Sequence, residues 1–154
     1  MRLLLFIIVA LSPMLFSPLA MASPWAVNKE NIVMDGYDPV AYFIENKAVK
    51  GEARYAQEWD DAIWWFKSEA NRERFRAAPQ NYAPQFGAHC ANGLSDGHVV
   101  HGNPENWRII DGKLYLFFSA WGRAQWMFMV EEQIQEAKAT WSSYLSELAD
   151  KRRS

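Results

Sequence analysis

The chain is predicted to fold as an α+β domain, a small antiparallel sheet packed by helices, and three observations predict it. Arg54–Trp59 and the aromatic, β-branched run Ala62–Phe66 read as two strands meeting at Asp60-Asp61. Trp107–Ile110 and Lys113–Phe118 meet at Asp111-Gly112, the clearest hairpin signal in the chain. From Ala120 onward, Trp121, Ala124, Phe128, Ile134, Ala137, Trp141, Tyr144 and Leu148 recur at helical spacing, which predicts two helices or one long bent helix.

The N-terminal segment 1–22 reads as a signal peptide. Arg2 precedes the apolar run Leu3–Leu11, and Ala20-Met21-Ala22 fits a small-x-small cleavage site before Ser23. An uncleaved anchor is the alternative, but Pro13 and Pro18 interrupt the run. The expected location is the periplasm or the exterior, with no membrane attachment after cleavage. Residues 23–154 then form one domain. Without Arg2 the basic residues fall from 16 to 15 against 18 acidic, a net charge of about −3, which excludes the basic footprint that nucleic acid requires. With a single cysteine, Cys90, the chain cannot form an internal disulfide.

The elements follow in order. Ser23–Lys29 is a lead-in, and Asp35-Gly36 and Asp38-Pro39 are turn signals feeding a short helix or extended piece near Val40–Phe43. Lys47–Gly51 is a loop or brief strand. After the first strand pair, Ser68 offers an N-cap and Glu69 a first-turn acid for a helix over Glu69–Ala78. Ala70, Phe75 and Ala78 make its apolar stripe, and Pro79 stops it. Gly87 opens a short helix or turn through Leu94, His98–His101 reads as a strand and Gly102-Asn103-Pro104 as a loop. Trp64 and Trp65 alternate, so only one of them faces a given core. Lys151–Arg153 reads as a frayed end.

Phe66–Phe75, Pro79–Tyr82 and Asp38-Pro39-Val40 resemble the YHS domain family. The segments Gly36–Phe43 (GYDPVAYF), Tyr82–Ala91 (YAPQFGAHCA) and Asp111–Leu116 (DGKLYL) resemble most its exported, single-domain bacterial branch. The resemblance spans roughly Val33–Trp126 and implies metal binding, since YHS domains are described as metal-binding. The family pattern often places cysteines after D-P-V and around the F-x-S helix start. Here those positions hold Ala41, Lys67 and Asn71, none a soft-metal ligand.

The remaining soft and imidazole donors cluster between positions 89 and 101: His89, Cys90, His98 and His101. Cys90 with one or more of His89, His98 and His101 suits copper or zinc by ligand type, and the expected function is metal handling or sensing without catalysis. A buried structural Cys90 with surface histidines is the competing reading. Two other classes stay open: a metal-free module binding a small ligand or protein through its aromatic residues, and a Cys90-dependent enzyme, for which no catalytic residue is assigned.

Overall fold

The computed structural model describes residues 23–154, and the signal peptide read at 1–22 lies outside the described residues. Strands β1 (Glu52–Trp59) and β2 (Ala62–Phe66) pair antiparallel, with Trp59 opposite Ala62. Asp60 and Asp61 between them hold φ of 49° and 60°, the two consecutive left-handed residues that a tight hairpin demands and that aspartate tolerates. Trp64 is buried and Trp65 half-buried, as alternation along a strand requires. Strands β3 (Asn103–Ile110) and β4 (Lys113–Phe117) form a second hairpin around Asp111-Gly112, also left-handed at both residues. The antiparallel sheet is thus two separate two-stranded sheets. β3 also starts earlier than expected, because Asn103 pairs with Phe117. Pro104 is accommodated where the register shifts between Asn103 and Trp107, so its missing N–H interrupts no regular ladder.

The helices are α1 (Ala41–Ile44), α2 (Glu69–Ala77), α3 (Pro79–Tyr82), α4 (Ala91–Ser95), α5 (Ala120–Trp126) and α6 (Val130–Arg153). Ser68 Oγ caps α2 by accepting from the Asn71 N–H at 3.2 Å. Pro79 does follow the end of α2, but it also opens α3 at a first-turn position where its missing N–H costs nothing. Lys151–Arg153 continue α6 instead of fraying. His98–Val100 form no strand and are exposed; only His101 makes a bridge, to His89. Among the described residues, no helix is long and apolar enough to cross a membrane.

β4 is the wall between two cores. Leu114 and Leu116 pack with Val33, Val40, Tyr42, Trp64, Phe66 and Phe75, while Tyr115 and Phe117 pack with Cys90, Leu94, Trp126 and Ala137. Alternation along one strand therefore serves both sides. The C-terminal stripe differs from its periodicity. Trp121 and Phe128 are 71% and 86% exposed, and Trp126 is buried in their place. The break at Met127–Met129 resets the helical phase, so α5 and α6 do not share one stripe. In α2, Ala70 is exposed and Asn71 faces inward with Phe75.

Asn71 is inside because Asp38 is. The Asp38 carboxyl group is fully buried and every bond it makes is as an acceptor. Oδ1 takes the N–H groups of Val40 and Ala41 at 2.8 and 3.3 Å; Oδ2 takes the Lys67 N–H and Asn71 Nδ2 at 2.9 and 2.7 Å. One side chain thus ties the start of α1 to the end of β2 and to α2. Asp38→Ala leaves these donors unpaired in a dry site, so it is expected to cost about 3 kcal/mol or more, read as a fall in the urea midpoint. Asn71→Ala, which removes a single donor, is expected to cost about 1 kcal/mol. Equal midpoints for Asp38→Ala and the unmodified chain would remove Asp38 from this role.

Candidate functional site

After a turn in which Phe86, Gly87 and Ala88 are left-handed, His89 and Cys90 are extended, with Cys90 bridged to Leu116 of β4. Gly102 N–H donates to Ala88 O at 3.0 Å and Cys90 N–H to Val100 O at 2.8 Å. These bonds flank the pair His89–His101, which therefore sits in the close, non-hydrogen-bonded position of an antiparallel ladder. Gly102 makes that approach feasible: a Cβ there would lie 2.5 Å from Leu116 Cβ.

Alternation then sends His89 and Cys90 to opposite sides. His89 turns toward α6, its ring 5.5 Å from both Trp141 and Tyr144 and 5.7 Å from His101. Nδ1 lies 3.0 Å from Phe86 O, which suits the tautomer with the proton on Nδ1 and the lone pair on Nε2. Cys90 turns toward α4 and α5. Its Sγ accepts the Gly93 N–H at 3.3 Å and the Phe118 N–H at 3.1 Å, so the thiol sulfur caps α4 as a serine oxygen would.

The four candidate ligands thus separate. His98 shares with Cys90 a cavity of about 300 Å³, and His101 stands with His89 on the other side. The expected Cys90–His98–His101 and Cys90–His89 sets do not come together, and among the described residues no three His, Cys, Asp or Glu side chains are grouped to hold a metal.

The Cys90 cavity has an apolar rim of Val100, Phe118 and Trp121, all exposed, with Gly122 of α5 opposite α4. Asn92 is in the same wall, 7% exposed. Its Nδ2 donates to Asp96 Oδ2 at 2.8 Å, while its buried Oδ1 has no partner among the described residues. An unpaired acceptor there is costly unless something supplies a donor. Sequence reasoning missed Asn92, Phe118 and Gly122. The one available signal was Ser119, whose Oγ caps α5 by accepting from the Gly122 N–H at 3.1 Å and so sets where Gly122 lies.

Burial holds the His89 imidazole below its usual range of about 6.5; the Phe86 carbonyl opposes this and His101 reinforces it. Around it, Tyr144 and His101 are the facing titratable groups, and burial raises the Tyr144 phenol. Because the folded value lies below the unfolded one, the unfolded chain binds the extra proton. This contribution to stability is therefore complete above the unfolded value and is lost as pH falls below it. The urea midpoint should drop as pH falls from about 7 toward 5, and His89→Gln, which keeps a donor for Phe86 O, should flatten that part of the profile. Parallel profiles would show that His89 does not govern it.

No protein-family model, no curated protein and no solved structure matches this chain.

Proposed function

We propose that this chain is an exported YHS-type binding module whose ligand is a small molecule seated over Cys90. The carrying observation is the Cys90 cavity itself, with an exposed aromatic rim, a sulfur fixed by two backbone N–H groups and the unpaired acceptor Asn92 Oδ1 in one wall. The chemistry of those walls selects a flat apolar body carrying one hydrogen-bond donor. The YHS reading gains support from Asp38. Ala41, Lys67 and Asn71, where the family resemblance expects thiols, all converge on its carboxyl group. An internal hydrogen-bond network occupies that place, which directs binding elsewhere on the scaffold.

Indole, flat and with a single N–H donor, is the probe. Titrated into isotopically labelled chain, it should shift the amide resonances of Gly93, Phe118 and Gly122, and Trp121→Ala should weaken it about tenfold. Gly122→Val should abolish the shifts, because even a Cβ at this position would lie 3.1 Å from Asn92 Oδ1. Unmoved amides at millimolar indole would sink this reading.

A metal reading survives at His89 and His101, because His89 donates through Nδ1 and keeps Nε2 free while His101 faces it. Two imidazoles fall short of the four ligands of a structural zinc site, so copper is the better match of the two metals. Anaerobic Cu(I) uptake that is lost in His101→Ala and kept in Cys90→Ser is the expected pattern. Uptake lost only in Cys90→Ser would move the metal to the other cavity.

A further inference from the structure

A second groove, of about 330 Å³, lies between the β1–β2 turn and the middle of α6 and shares no wall residue with the Cys90 cavity. Its walls include two inclined ring pairs. Trp25 and Trp59 have centroids 5.5 Å apart at an interplanar angle of 51°; Phe86 and Trp141 are 6.3 Å apart at 65°. All four rings are half-buried and line the groove. Among the described residues, Asp60 is the one charged residue in the lining, with no lysine or arginine beside it. The Trp25 indole donates to Asp60 Oδ2 at 2.9 Å and fixes the carboxylate at the rim.

The chain is built to keep these rings in place. Ala26 N–H donates to Gly87 O at 2.7 Å, which docks Trp25 against the rest of the wall. Gly87, at φ +58°, lets Pro24 and Trp141 close in: a Cβ there would lie 2.3 Å from Pro24 O and 2.8 Å from Trp141 Cη2. On its inner side Trp25 meets Trp64 edge-on at 4.8 Å, so the ring cannot swing away without opening the core.

We infer that this groove binds a small organic cation of the quaternary ammonium class. Aromatic faces carry negative quadrupole potential, and four rings lining one groove beside a carboxylate favour a cation over a neutral body of the same shape. A single carboxylate at the rim, with no opposing base, completes the charge match. A sugar would stack on a flat platform, which these inclined ring pairs do not form.

Choline and its neutral isostere 3,3-dimethylbutan-1-ol separate the cation from its shape. Choline should bind and quench tryptophan fluorescence, with the isostere at least about tenfold weaker. Asp60→Asn keeps the left-handed turn, which asparagine tolerates, and keeps an acceptor for the Trp25 indole. This variant should weaken choline about tenfold, leave the isostere unchanged and match the unmodified chain in far-ultraviolet circular dichroism. Equal affinity for choline and the isostere, unchanged choline affinity in Asp60→Asn, or no choline binding at millimolar concentration would each overturn the assignment.

Discussion

The two-sided burial of β4 governs the rest of the molecule. A strand with one wet face would leave the chain a single core; here Leu114 and Leu116 face one apolar cluster, Tyr115 and Phe117 another. Any extended segment laid against such a strand inherits the same division. His89–Cys90 is that segment, and this is why the two neighbouring residues end up in different chemical environments. The cavity over Cys90 and the imidazole pair beside α6 are therefore separate sites by construction. An account that merges them must first break the pairing with β4.

The second organising element is polar. Asp38 places a carboxyl group inside the first core and satisfies it with three backbone N–H groups and one amide. Such an arrangement stabilises only while every partner is present, and its geometry is more specific than that of an apolar replacement. It also gathers Ala41, Lys67 and Asn71, the positions at which the YHS resemblance would place thiols. In this chain the clasp is complete, which leaves the cavities on the far side of β4 and at the β1–β2 turn as the places with chemistry to spare.

Local signals were legible where a short stretch decides its own conformation. Asp60-Asp61 and Asp111-Gly112 announce tight turns because few residues accept consecutive left-handed angles, and Ser68 announces a helix start because its oxygen reaches an N–H three residues on. Burial was less legible. The spacing of Trp121 and Phe128 is helical, yet periodicity cannot say whether a partner covers the stripe, and none of the described residues does. Asp38 and Asn71 look like surface residues one at a time; only their meeting across the fold explains their burial. The Cys90 and His89 residues were legible as chemistry. Adjacency already sends them to opposite sides of an extended segment, but the stretch after Gly87 reads as a short helix or turn, so which residues would face each of them depends on the fold.

The position of β4 within the chain also carries a consequence for how the polypeptide matures. Neither apolar cluster can close until residues 114–117 are available, and the second also awaits Trp126 and Ala137. A chain made from its N-terminal end can bring Trp25, Trp59 and Phe75 to the run Trp64–Phe66 early, but the cover from Leu114 and Leu116 comes later. That part of the closure is long-range in sequence, which slows it and prolongs exposure to aggregation.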